Sequence, residues 1–234
     1  MPPPVVLCLV GARGAGKDTV ADVLGTFGWR VTSFAGPLRQ AVSALYGLPL
    51  DVFTDRQLKE EPIAGLGVSP RTLLQRIGTD VLRNHVGRAF ADTAYHPPTS
   101  YFAHLVERSL VDETRPVVIT DCRFPDELDY LAQTMPCVLP CVVRRPGIEL
   151  VCTHSTDEWS VESTRNPPAG WPVIQNDGTI ADLAAKLSLV SVRNWRDLGA
   201  NLVASERSSE RRPGAGVLPM AQLRSASTLA GRVS

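Results

Sequence analysis

The sequence predicts an α/β fold in which an open parallel sheet carries helices on both faces. Three observations lead there. Two uninterrupted apolar runs, residues 5–10 and 117–120, read as strands buried on both sides, since a half-exposed strand would alternate. Segments of helical periodicity alternate with strand-like runs, the order that yields parallel strands joined by crossover helices. The first apolar run also leads straight through a glycine-rich loop into an amphipathic stretch.

In chain order, a helix should start near Gly16, with Val20, Val23, Leu24 and Phe27 on one face. Residues 29–35 read as a second strand carrying Val31 and Phe34. Pro37 opens the next helix, where its missing N–H costs no helical bond, and Leu38, Ala41, Val42 and Leu45 form its apolar stripe. Residues 47–68 are irregular, with a charged patch from Asp55 to Glu61. Ser69 and Pro70 have the chemistry of an N-cap and first helical residue, and Leu74, Ile77 and Val81 line one side of the helix they open. Phe102, Leu105, Val106 and Ser109 mark another helix, residues 126–133 a short one. Residues 137–143 read as a strand, which Pro140 weakens. Residues 146–172, rich in Pro, Ser, Thr and Gly, read as an irregular, mobile insertion. A short strand at 173–175 precedes a helix opened by Thr179 and Asp182 at capping-box spacing, burying Ile180, Leu183, Leu187 and Val190.

The length of 234 residues suits one domain, assigned to residues 1–198, with an appended tail over 199–234. From Ala204 the chain is rich in Ser, Arg, Gly and Ala, a composition that favours disorder. The formal net charge is zero, which speaks against general nucleic-acid binding; any anion site must be a local cluster of Arg and Lys. Five cysteines, an odd number without a CxxC pair, point to free thiols in a reducing cytoplasm. No apolar stretch is long enough to span a membrane, and the N-terminal run lacks the basic flank of a signal peptide.

The strongest local signal is Gly11, Ala12, Arg13, Gly14, Ala15, Gly16, Lys17, Asp18, Thr19. It matches G-x-x-x-x-G-K, with strand before and helix after. Triphosphate oxygens need many donors at short range, and glycines let backbone N–H groups turn inward as an anion nest. The helix N-terminus adds its positive end, and Lys17 a point charge for the β- and γ-phosphates. The hydroxyl that usually follows the lysine is displaced by one residue, to Thr19. Asp18 then has three readings: contact with hydrated Mg²⁺, activation of an acceptor, or an acid favoured at a helix N-terminus.

The run at 117–120 ends in Asp121. In open α/β sheets ligands bind beyond the carboxyl ends of the strands, so Asp121 is expected near Lys17, holding the water shell of a metal ion. The next residue is Cys122, where a hydrolytic ATPase would often carry Glu; this favours transfer to an acceptor over hydrolysis. Arg123 either binds an acceptor phosphate or pairs with Asp126 or Glu127.

The segments GARGAGKDTVADVL, SFAGPLRQAV, LLQRIGTDVLR, VVITDCRFPDE and VIQNDGTIADLAAKL together resemble the deoxynucleoside monophosphate kinases of tailed bacteriophages, within the wider nucleoside monophosphate kinase group. The resemblance implies a P-loop NTPase fold of three α/β/α layers, ATP and Mg²⁺ as cofactors, and a small-molecule nucleotide acceptor. It implies a helical monophosphate-binding region over about 37–116 and a lid over about 144–172. Phe34, Arg39, Arg76 and Arg83 are its acceptor-binding candidates, each arginine having a solvated helix face as the alternative. Arg144, with Arg145 beside it, is the candidate to stabilise transferring charge, and His154, Glu158 and Trp159 fall in the lid. Asn176 would contact adenine or else cap a helix. The family often forms dimers. Two rivals stay open. VIxNDGT is shared with dephospho-coenzyme A kinases, so that molecule or another small phosphorylated metabolite can be the acceptor. A nucleotide-dependent switch or ATPase is the other.

Overall fold

The computed structural model describes residues 4–55, 57–89, 100–150, 152 and 157–188. The expectations for Val190, His154 and the 199–234 tail lie outside these. Five parallel strands, β1 (Val6–Val10), β2 (Arg30–Thr32), β3 (Val117–Cys122), β4 (Val138–Arg144) and β5 (Val173–Gln175), form one sheet in the order β2-β3-β1-β4-β5. The helices are α1 (Lys17–Thr26), α2 (Gly36–Tyr46), α3 (Pro70–Gln75), α4 (Asn84–Ala89), α5 (Tyr101–Ser109), α6 (Pro125–Thr134), α7 (Glu158–Arg165) and α8 (Ile180–Ser188); a π-helical segment, Arg76–Arg83, joins α3 to α4.

Strand β1 is buried along its whole length between β3 and β4, which accounts for its unbroken apolar sequence. Its residues alternate between two cores. Val6, Cys8 and Val10 meet Leu38 and Val42 of α2, Leu73 of α3, Phe102 and Val106 of α5, and Leu128 and Leu131 of α6. Val5, Leu7 and Leu9 meet Val20, Val23 and Leu24 of α1 and Leu183 and Leu187 of α8. The three expected layers result from this alternation. Cys8, Cys122 and Cys141 are buried thiols.

Local chemistry sets the helix starts. The Ser69 hydroxyl accepts from the Thr72 N–H (3.2 Å), ahead of Pro70. Thr179 and Asp182 cap α8 reciprocally: Asp182 accepts from the Thr179 N–H (2.8 Å), and the Thr179 hydroxyl accepts from the Asp182 N–H (3.2 Å). Pro140 sits inside β4 at no cost to the ladder. The Val142 N–H donates toward β5, to Pro172 O (2.9 Å), and residue 140 faces the same way, where β5 has not yet begun.

Several expected details differ. Helix α1 stops at Thr26, leaving Phe27 46% exposed beyond its buried face. Strand β2 covers only Arg30–Thr32, because the Phe34 and Ala35 amides turn away to bond Asp121. In α2 only Leu38 and Val42 are buried; Ala41 is exposed, and Leu45, 77% exposed, lies where the stripe runs off the edge of the core. Leu73 takes the buried place in the next helix while Val81 is 53% exposed, since the i→i+5 bonding from Arg76 rotates later residues out of the 3.6-residue register. Ile180 is exposed at the first position of α8, before that helix meets the sheet. The insertion at 146–172 is not irregular throughout: it contains α7, with Ser160, Val161, Ser163 and Thr164 buried.

These assignments separate two leucines that the α2 periodicity treats alike. Leu45→Lys should change unfolding free energy by less than about 0.5 kcal/mol. Leu38→Ala should cost about 2–5 kcal/mol. Urea denaturation of both variants checks the pair.

Candidate active site

The chain order reverses around β1: the path from β1 goes out to β2 on one flank, and β3 is followed by β4 on the other. The loops leaving the carboxyl ends of β1, β2, β3, β4 and β5 therefore meet at the switch point where open α/β sheets bind ligands. Those loops and ends carry Lys17, Phe34, Asp121, Arg123, Arg144 and Asn176, as their strand-end positions predict.

The loop from Gly11 to Gly16 turns at Gly14 and Gly16, whose φ values of 84° and 90° suit glycine. Gly16 is the N-cap of α1 and contributes no side chain, so the first amides of α1 (Lys17, Asp18, Thr19) keep their helix-dipole direction toward the loop. Lys17 folds over this cradle, its Nζ donating to Gly11 O (2.7 Å) and Ala12 O (3.1 Å). Burial, and next the positive charge of Arg123, pull its pKa down to about 8, against the opposing pull of Asp18, Asp121 and Asp157. Asp18 is exposed in the first turn of α1 and Thr19 is half-buried behind it.

The sheet braces the loop from behind. A Cβ on Gly11 would meet Val143 O at 2.7 Å, and one on Gly16 would overlap the Asn176 side-chain amide. Asn176 is buried, its Nδ2 donating to Ala15 O (3.1 Å) and its backbone N–H to Arg144 O (2.7 Å). Expected to contact adenine or cap a helix, it here clamps the loop backbone. The Ala12 N–H donates to the Thr164 hydroxyl of α7 (2.8 Å), which itself donates to Ser160 O (2.6 Å). Arg144 is spent on the end of the same helix, with Nε on Thr164 O and a terminal nitrogen on Arg165 O, both 2.6 Å. It acts here as a C-terminal clamp on α7 rather than a free cation for transferring charge.

Asp121 accepts the Phe34 N–H (2.7 Å) and Ala35 N–H (3.1 Å), one on each oxygen, and so ties β3 to the start of α2. Arg123 pairs with neither Asp126 nor Glu127 through its side chain; its guanidinium reaches Asp157 at the start of α7 (3.4 Å). Arg83 takes those two acids instead, at 2.8 Å each, and stacks 3.7 Å from the Phe124 ring centroid. Arg83, expected to bind acceptor, is here engaged with these two acids and the Phe124 ring. Phe34, 2% exposed, is a core residue and not a stacking surface. Arg39 bonds the Ser33 hydroxyl, and Arg76 is exposed on the π-helical segment. Trp159 is half-buried and meets Trp171 edge-on, with centroids 6.0 Å apart.

Several residues carry the site without a signal that spacing offers. Arg13 of the loop and Arg71 of α3 converge on Glu60, at 2.9 and 2.7 Å, linking the phosphate loop to the insertion. Thr164 and Asp157 come from a segment with no helical stripe to announce it. Among the described residues no cluster of three or more His, Cys, Asp or Glu could hold a metal ion.

A parallel sheet with a glycine cradle, an inward lysine and a helix N-terminus at its switch point defines a P-loop nucleotide-binding protein. Residues 60–187 match the family described as deoxynucleotide monophosphate kinase. A protein of Acanthamoeba polyphaga mimivirus, provisionally named as a deoxynucleotide monophosphate kinase, is 32% identical over 158 residues, 65% of this chain and 80% of that one. Among solved structures, TT1252 of Thermus thermophilus is similar at a TM-score of 0.43 and 19% identity, covering 81% of this chain and 97% of its own. The dephospho-CoA kinase of Campylobacter jejuni is similar at 0.39 and 15%, covering 79% and 96%. The chain belongs to the deoxynucleotide monophosphate kinase family and is a phosphotransferase, which sets aside the switch or ATPase reading.

The lysine environment sets a pH dependence. Affinity for inorganic triphosphate should fall as pH rises through about 8, where Lys17 loses its proton, and Lys17→Arg should hold its affinity across that range; calorimetric titration checks both. Thr164→Val, which removes the acceptor of the Ala12 amide, should weaken triphosphate binding by about tenfold or less while the sheet stays folded.

Proposed function

We propose that the protein transfers the γ-phosphoryl group of ATP to the 5′-phosphate of a deoxynucleoside monophosphate, giving ADP and the deoxynucleoside diphosphate. The observation that carries this reading is the Lys17 cradle at the sheet's switch point, in a chain of the deoxynucleotide monophosphate kinase family. Lys17 would leave its two loop carbonyls for the β- and γ-phosphate oxygens, an exchange of neutral acceptors for charged ones. The acceptor phosphate is already anionic, so the protein's task is positioning and charge neutralisation rather than proton removal.

Mg²⁺ neutralises phosphate charge when bound. With no three-residue acidic cluster among the described residues, it would be held chiefly by phosphate oxygens and water, with Thr19, Asp18 and Asp121 as the nearby oxygen donors. Asp121 has lone pairs left after its two backbone bonds. Arg123 is the cation we assign to the transferring phosphoryl group, since its charge is felt at Lys17 and it bridges to α7.

The acceptor would lie against the 37–116 region, with Arg39 and Arg76 as its remaining arginine candidates and Trp159 facing it from the lid. Helix α7 is the helical part of that lid, which would exclude water once closed. A kinase of this kind draws on a free nucleotide pool, which assigns it to the cytoplasm. Among the described residues no helix is long and apolar enough to cross a membrane.

The direct test is ADP release from ATP·Mg²⁺ with each common deoxynucleoside monophosphate, the matching ribonucleotides and dephospho-coenzyme A added singly. Release should depend on a deoxynucleoside monophosphate; dependence on dephospho-coenzyme A alone would replace the acceptor. Lys17→Ala should lower kcat/KM by at least about a hundredfold in a protein that still folds.

A further inference from the structure

We propose that Arg83 is a positioning residue for phosphoryl transfer: acting through Glu127, it fixes the backbone at Arg123 and Phe124 and so the direction of the Arg123 side chain. This rests on the kinase reading above and on the assignment of Arg123 within it.

Every polar contact of the Arg83 guanidinium points at one corner of the fold. One terminal nitrogen donates to both Asp126 oxygens, at 2.9 and 2.8 Å, the other to Glu127 Oε1 at 2.8 Å. Its flat face lies on Phe124, 3.7 Å from the ring centroid. A fork engaged on two carboxylates and stacked on a ring has its planar recognition surface in use. Arg83 therefore touches the β3–α6 corner and not an acceptor phosphate.

Glu127 is the joint. It is 3% exposed, and a carboxylate so buried needs charged or N–H partners to remain ionised. It has three: Arg83 on Oε1, and the Arg123 N–H (2.9 Å) and Phe124 N–H (3.2 Å) on Oε2. Burial pushes its carboxyl up to about 8, against the opposing pull of the Arg123 N–H bond and then of the Arg83 charge. Without Arg83 the group loses the cation on its Oε1, and its hold on the two backbone N–H groups at Oε2 is loosened. The backbone they hold is the root of the Arg123 side chain, whose tip reaches Asp157 at 3.4 Å. Arg123 is thus set at its root by Glu127 and at its tip by the lid helix. Arg83 reaches the joint from the end of the π-helical segment, so the acceptor-side insertion and the transfer centre share one ion cluster.

The test is a double-mutant cycle on the full chain, measuring kcat and both KM values for wild type, Arg83→Gln, Arg123→Ala and the double variant. Arg83→Gln should lower kcat by about tenfold or more, with acceptor KM within about twofold of wild type. Arg123→Ala should lower kcat at least as far, and Arg83→Gln should add nothing in that background. A rise in acceptor KM at unchanged kcat would make Arg83 a substrate ligand and overturn the proposal. Multiplying losses in the double variant, or a wild-type kcat in either single variant, would overturn it too. Lack of deoxynucleoside monophosphate-dependent turnover in the wild type would instead fall on the kinase reading itself. If Arg83→Gln does not fold, Arg83→Lys runs the same cycle, because one ammonium cannot serve both carboxylates and the ring; its smaller loss should also vanish beside Arg123→Ala.

Discussion

The closeness of the phosphate loop to the edge of β4 governs much of the structure. Gly11 lies so near Val143 O that no side chain fits between them, and Gly16 lies as tightly on Asn176. A loop packed this way from behind cannot sag, so its amides keep one direction whether or not an anion is present. The braces come from three places distant in sequence: the end of β4, the loop after β5, and α7. The sheet order that brings those ends together is therefore part of the anion site.

The framework is legible in the sequence because its signals are periodic or compositional. The unbroken apolar runs mark β1 and β3, Ser69–Pro70 and Thr179–Asp182 mark helix starts, and the glycine spacing marks the cradle. Side-chain placement is legible where one residue sits alone on a predictable element, as Lys17 does over its own loop. Position along the chain turns Arg83, Arg144 and Asn176 toward substrate, and each is instead bound to protein. Their partners lie on other elements, and no local pattern distinguishes an arginine that meets a phosphate from one that meets a carbonyl or a carboxylate. Helix α7 escapes a periodicity reading for a related reason: its buried face is Ser160, Val161, Ser163 and Thr164, small and mostly polar, so it lacks the apolar stripe that marks a helix.

Helix α7 is held by groups that belong to the site as much as to the helix. Arg144 grips its last turn, Thr164 holds the Ala12 amide, and Asp157 receives Arg123 at its start. A movement of α7 therefore changes the hydrogen bonding of the cradle and the position of a cation together. The position of α7 and the hydrogen bonding of the loop are thus linked through direct bonds, without any longer relay.

The sheet ends in two very short strands, β2 and β5, three residues each. Below the start of β5 the flank of β4 is unpaired within the sheet, and it is there that Pro140 removes a donor. Exposed strand edges invite a foreign strand, and they are safest when short or interrupted. Pro140 denies an intruding strand a backbone donor at an inner strand that outruns its neighbour. A residue that weakens the strand pattern of β4 thus protects a concentrated, nascent or heated chain from joining its copies edge to edge.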